Sequence, residues 1–152
     1  MEYIESPKNW ERLPHQPAVF LAGGISGCPD WQFELTHLLV MTNCAVLNPR
    51  RKTFKDTPEF AELQIRWEFD HLRKADLISF WFCKDTVQPI VLYELGAWSM
   101  TDKPLAVGIE HGYRRELDVR VQLSLVRPEV RIVDTLEDLA NGIRIFERNF
   151  LI

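Results

Sequence analysis

Cysteine is scarce in this chain, and its spacing carries no metal or disulfide signature. Cys28, Cys44 and Cys83 make an odd count and no CxxC pair, which argues against a disulfide framework and against a zinc knuckle. The four histidines (His15, His37, His71 and His111) form no HExxH pattern, so no metal is expected and no other cofactor is implied. Positive charge is not in excess. With 18 Lys and Arg against 22 Asp and Glu, the net charge is -4, which argues against a polymeric nucleic acid as partner. No apolar run is long enough to cross a membrane. The acidic, polar N-terminus lacks the apolar stretch of a signal peptide. The expectation is a cytoplasmic protein in a reducing compartment with no membrane partner. Internal repeats and low-complexity tracts are missing too.

What remains is an ordinary globular composition. Apolar residues make up 46% of the 152 and charged residues 26%, enough for one domain with its own core. Residues 1–17, with Pro7, Pro14 and Pro17, read as an irregular N-terminal arm whose Tyr3 and Trp10 dock on the body. Residues 18–152 read as a single domain.

From Ala18 onward, short apolar runs alternate with amphipathic stretches. Strands are expected at 18–22, 44–47, 77–82, 105–109 and 130–133. Helices are expected after Asp30, from Thr57-Pro58 to Ala75, from Pro89 to Met100, over 117–126 and after Thr135. Leu63, Trp67 and Leu72, with Ile65 and Phe69, are the expected apolar side of the second helix. Asp76 is expected to hydrogen-bond its own turn. Strand followed by helix, five times over, predicts an α/β, flavodoxin- or Rossmann-like three-layer fold. Its five-stranded parallel sheet has order 2-1-3-4-5. Ligands of such sheets bind at the carboxyl ends of the strands where the order reverses. That puts the loops after strands one and three, Gly23 to Asp30 and Cys83 to Gln88, on either side of a crevice, with Asn48 onward beside them.

Each segment has a functional and a plain reading. Gly23-Gly24-Ile25-Ser26-Gly27 lets a ligand approach the backbone near a helix start, or is simply a turn. It matches neither GxGxxG nor a P-loop. Glu94 stands in the apolar segment Leu92-Tyr93-Glu94-Leu95, where a carboxylate needs a partner or a task. The helix N-terminus helps to keep it ionised, and an ionised carboxylate in a sugar-binding crevice is a nucleophile. The plain alternative is a solvated or arginine-paired Glu. Glu68 and Asp70 supply a second acid, or belong to a solvated helix face. Asn48 and Arg50 can read a base edge or hold a phosphate, or Pro49 merely ends the strand. His111, Tyr113, Arg114 and Arg115 line the same edge or form a polar loop.

Phe20-Leu21-Ala22-Gly23-Gly24, Ala75-Asp76-Leu77-Ile78, Tyr93-Glu94-Leu95-Gly96-Ala97 and Lys103-Pro104-Leu105 follow one another at distances that resemble a known family. The chain is similar to the nucleoside 2-deoxyribosyltransferase superfamily, in particular its short deoxyribosyltransferase-like branch, over roughly residues 18–109. The resemblance implies a flavodoxin-like sheet that binds a nucleoside or nucleotide, a glutamate that attacks C1′ of the sugar, and a covalent glycosyl-enzyme resolved by another base or by water. It puts the nucleophile at Glu94 and a helical acid at Glu68, with Asp70 the neighbouring candidate. It implies the sugar over Gly23 and Gly24, Ser26 or Asp30 near its hydroxyls, and Arg50 on the base or a phosphate. The tyrosine that orients the nucleophile in relatives falls on Phe20, which lacks the hydroxyl and leaves Tyr93 and Trp81 as substitutes. The run before the glutamate, small and polar in relatives, is the bulky Ile90-Val91-Leu92 here. The family also implies a homo-oligomer, with Asn149-Phe150-Leu151-Ile152 buried in it. The two readings carried forward are N-glycosidic bond cleavage or exchange, and a non-catalytic nucleotide-binding or sensing module.

Overall fold

The computed structural model describes residues 1–53 and 57–150. Its elements are β1 (Glu2–Glu5), β2 (Ala18–Gly23), α1 (Trp31–Leu38), β3 (Ala45–Asn48), α2 (Pro58–Lys74), β4 (Leu77–Phe82), α3 (Pro89–Ser99), β5 (Leu105–Ile109), α4 (Glu116–Val126), β6 (Ile132–Val133) and α5 (Leu136–Phe150). One parallel sheet runs β1-β3-β2-β4-β5-β6. The five strands expected from the sequence stand in the expected order, and β1 adds a sixth at the β3 edge.

Side chains alternate across each strand, so the sheet sorts them into two layers of core. Phe20, Phe80 and Phe82 pack with Trp67, Leu72, Val91, Leu95 and Leu123, under α2, α3 and α4. Val19, Leu21 and Trp81 pack with Trp31, Leu35, Leu139 and Ile143, under α1 and α5. All six residues of β4 are buried, as expected of a central strand covered on both faces. Helix starts follow the sequence signals. Asp30 accepts from the Phe33 N–H (3.2 Å), Thr57 from Phe60 (3.3 Å) and Thr135 from Asp138 (3.1 Å).

Four local expectations are corrected. Residues 2–5 are a strand and not irregular arm, with Tyr3 in register with Val46. An edge strand with one buried side chain, Ile4, leaves a weak apolar pattern, and the prolines after it point the other way. On α2, Trp67, His71 and Leu72 are buried, whereas Leu63, Ile65 and Phe69 are each more than half exposed. Ile65 and Phe69 lie two residues on either side of Trp67, about 200° round the helix. Asp76 does not serve its own turn. It accepts from the Ala18 N–H (2.8 Å) and from both terminal nitrogens of Arg12 (2.9 Å each), clamping the arm to the entry of β2. Finally, Cys28 and Cys83 are joined in a disulfide, their Cα atoms 6.5 Å apart, while Cys44 is free and buried. They are 55 residues apart in sequence, but the loops after β2 and β4 are neighbours because those strands pair directly.

Candidate active site

The glycine loop is held tightly from below. A Cβ on Gly23 would overlap the Trp31 ring and the Trp81 carbonyl, and one on Gly24 would overlap the Cys28 sulfur and the Gln88 amide. Only glycine lets the backbone leave β2 at this height. The Gly24 carbonyl accepts from Trp31 Nε1 (3.0 Å) and its N–H donates to Gln88 Oε1 (2.9 Å). Gln88 is 6% exposed, sits at φ 55° just before α3, and donates from Nε2 to the Cys83 carbonyl (2.7 Å). One amide thus ties the β2 loop to the β4 loop. Tyr113, buried against Phe82, donates its hydroxyl to the Val87 carbonyl (2.6 Å) and holds the far side of the β4 loop.

Between these loops and α2 lies a cleft of about 430 Å³. Its polar side chains are Ser26, Thr86, Gln88, Glu68 and Glu94, and Phe20, Ile25, Ile65 and Ile90 are among its apolar walls. The cleft opens at the carboxyl ends of β2 and β4, where the strand order reverses. A groove of about 620 Å³ beside Leu77, Leu105 and α5 starts at the amino ends of the strands, the edge that α/β sheets do not use for ligands.

Of the residues singled out in the sequence, Phe20, Gly23, Gly24, Ser26, Glu68 and Glu94 meet in this cleft. The others do not line it. Asp70 is on the exposed side of α2. Tyr93 is 75% exposed and Trp81 is buried in the opposite core layer, so neither replaces the missing hydroxyl of Phe20. Asn48 is buried, donating to Tyr3 Oη (2.8 Å) and accepting from the Arg50 N–H (2.9 Å). Arg50 spans to the Pro29 carbonyl (2.7 Å), the Cys28 carbonyl (3.0 Å) and Gln32 (3.0 Å), and pairs with Asp30 at 3.7 Å. Asn48, Arg50 and Asp30 therefore brace the glycine loop from behind. Of the residues expected at the C-terminal end, Leu151 and Ile152 lie outside the described residues.

Glu68 reaches the cleft although it is the eleventh residue of α2. Gln64, one turn earlier, touches the Pro49 carbonyl just beyond β3 (2.8 Å). The first roughly 9 Å of the helix, six residues at 1.5 Å each, therefore precedes the level of the strand ends. Glu68 accepts from Gln64 Nε2 (2.6 Å). Burial raises its pKa, while the Gln64 hydrogen bond and the Arg51 charge pull the other way. Glu94 has no hydrogen-bond or ion-pair partner among the described residues. Burial, and secondarily the negative charge of Glu68, push its pKa up to about 8. It is the sixth residue of α3, beyond the first turn where a helix N-terminus acts on a carboxylate. The surroundings of Glu94 thus favour the protonated carboxyl, against the expectation that the helix N-terminus helps to keep it ionised.

Sequence reasoning passed over Gln64 and Gln88. Neither bears charge, and their partners on Ser6 and Gly24 are 58 and 64 residues away. The one local sign was Pro89, which marks Gln88 as the residue before a helix.

The sequence profile of one family, described as nucleoside 2-deoxyribosyltransferase like, matches residues 16–113. That span includes the glycine loop, Glu68 and Glu94. No functionally curated protein matches the chain significantly. Among solved structures, a conserved protein from Enterococcus faecalis V583 superposes with a TM-score of 0.59 at 14% identity, covering 86% of this chain and 99% of that one. At that identity the likeness is one of fold. No helix among the described residues is long and apolar enough to cross a membrane.

Proposed function

Because the chain belongs to the nucleoside 2-deoxyribosyltransferase-like family, we propose that it cleaves or exchanges the N-glycosidic bond of a nucleoside through a covalent glycosyl-Glu94 intermediate. The observation that carries this reading is the meeting of Glu94 and Glu68 in one largely apolar cleft beside the glycine loop. Apolar walls suit the faces of a base, and two carboxyls suit the two halves of a double displacement. As the carboxylate, Glu94 attacks C1′. The C1′–N bond breaks, its electron pair stays on the leaving nitrogen, and the Glu68 carboxyl gives the base a proton. A second base or water then displaces Glu94 from C1′ and its proton returns to Glu68.

Two carboxyls lining one poorly solvated cleft compete for a proton, because ionising one disfavours ionising the other. The reactive arrangement has that proton on Glu68. A base that accepts a hydrogen bond from Glu68 favours it. No cationic side chain among the described residues lines the cleft, which supports an unphosphorylated nucleoside as substrate over a nucleotide. The absence of a hydroxyl at Phe20 and the raised pKa of Glu94 favour a second reading, a nucleoside-binding module without turnover. The two part on one assay. With a panel of ribo- and deoxynucleosides and their 5′-monophosphates, free base appears by chromatography from at least one nucleoside, about tenfold or more faster than from its monophosphate. A new nucleoside forms when a second base is added, if the enzyme transfers. Binding without release of base from any compound leaves the module.

Helix α3 also supports self-association. Apart from Glu94 and Ser99 its residues are apolar or glycine, with Ile90, Tyr93 and, just past its end, Met100 each at least 65% exposed, and a helix apolar nearly all round belongs in an interior or an interface. We propose a homo-oligomer that covers this face. Sedimentation equilibrium should return a multiple of the 17.8 kDa chain mass, and a Tyr93→Lys variant should shift it toward that mass. A wild-type monomer at high concentration would end the proposal.

A further inference from the structure

A chain of hydrogen bonds with one possible polarity runs from the segment after β1 to the acid on α2. Arg51 Nε donates to Ser6 Oγ (3.0 Å). Arginine only donates, so the Ser6 hydroxyl hydrogen is free to go onward, to Gln64 Oε1 (3.0 Å). With its oxygen so engaged, the Gln64 amide must present its NH2 to the other side. There it donates to the Pro49 carbonyl (2.8 Å) and to Glu68 Oε1 (2.6 Å). Ser6 is itself fixed. It is 2% exposed, and its N–H donates to the Asn48 carbonyl (3.0 Å), one step beyond the β1–β3 ladder. Arg51 is held over the Phe60 ring at 4.5 Å.

We propose that Gln64, oriented by Ser6 and Arg51, is a positioning residue that sets how tightly Glu68 holds its proton and aims that carboxyl at the cleft. The inference rests on the reading of Glu68 as the proton donor only for its consequence in catalysis; the coupling itself does not. A donor on Oε1 stabilises the carboxylate, and the other oxygen is left to face a ligand. The charged groups that bear on Glu68 are Arg51, from the loop after β3, and Glu94, from α3; β2 offers the apolar Phe20 and Ala22. β1 thereby gains a purpose. It delivers Ser6 to a helix more than fifty residues downstream.

The test reads the carboxyl directly. Heteronuclear NMR of labelled glutamate side chains follows the Glu68 titration in the full-length protein. In Gln64→Met, which keeps the side-chain length and loses the donor, Glu68 should bind its proton about tenfold more tightly, moving its midpoint up by about one unit. Ser6→Ala should move it in the same direction by less, and Ser6→Thr, which keeps the hydroxyl, should leave it in place. Far-UV circular dichroism checks that each variant is folded; should Gln64→Met fail to fold, the Ser6 pair decides alone. An unmoved midpoint in folded Gln64→Met, or in folded Ser6→Ala where that alone is measurable, overturns the proposal. Where base is released, the pH profile of kcat/KM should shift with the midpoint. If the midpoint moves and the profile does not, the positioning role stands and the proton-donor role of Glu68 falls.

Discussion

Glu94→Gln is expected to lower base release by about 10³-fold or more, with nucleoside affinity held within a few-fold. The substitution keeps the shape of the side chain and replaces the anionic carboxylate that would bond to C1′ with a neutral, weakly nucleophilic amide. Among the described residues, Glu68 is the one other carboxyl lining the cleft, and it is engaged by Gln64 on one oxygen. Affinity survives because the apolar walls and the glycine loop are untouched. Steady-state release of base, together with nucleoside binding by calorimetry, measures both quantities. A variant that releases base at the wild-type rate removes Glu94 as the nucleophile, whatever else the protein does.

The same substitution should make the protein more stable at alkaline pH. The Glu94 carboxyl has a folded pKa of about 8 against an ordinary 4.5. A carboxyl whose pKa is raised on folding binds its proton more tightly in the native state, so wild-type stability falls as pH rises from the unfolded value to the folded one. Below about pH 4.5 the group is protonated in both states and costs nothing; above about pH 8 the full desolvation cost is present. The shift corresponds to at most about 5 kcal/mol, and a buried unpartnered amide returns part of it, leaving a gain of about 2 kcal/mol for Glu94→Gln near pH 9. At roughly 2–4 °C per kcal/mol in a chain of this size, Tm should rise by about 4–8 °C. Near pH 4.5 the two proteins should melt together. Equal melting temperatures at both pH values would mean that Glu94 is solvated, which would remove the physical basis of its assignment as well.

These two outcomes are two sides of one placement. An unpaired carboxyl that destabilises the fold is retained where it serves chemistry. The opposite sign of the activity and stability effects at a single residue separates that case from a merely structural Glu, whose loss would lower stability and leave turnover alone.

Much of the frame was legible in the amino-acid order. The strand at 77–82 reads as central because six successive residues are apolar, and all six are buried. Asp30, Thr57 and Thr135 read as caps because a side-chain oxygen three residues before a free N–H satisfies it. The crossing of β2 to β4 at the ligand edge follows from right-handed parallel connections, and it brings Gly23, Gly24 and Glu94 to one cleft. Where the reading failed, the deciding partner was distant. Arg50 has the charge for a phosphate, yet the carbonyls of Cys28 and Pro29 occupy it. Tyr93 neighbours Glu94 in sequence, but a helix turns adjacent residues about 100° apart, and the tyrosine faces outward.

By itself, then, the sequence determined the alternation of elements, their order in the sheet, the edge at which the cleft opens and the presence of a carboxyl there. All of these depend on local periodicity and on the handedness of the chain. Only the tertiary structure decided that residues 2–5 pair with β3, that Cys28 meets Cys83, that Gln88 locks the glycine loop, that Ser6 and Gln64 bear on Glu68, and that burial raises the pKa of Glu94. Each of those is a contact or a loss of solvent between segments far apart in the chain. The free energy of such a contact resides in the meeting of two loops, and neither segment carries a sign of it alone.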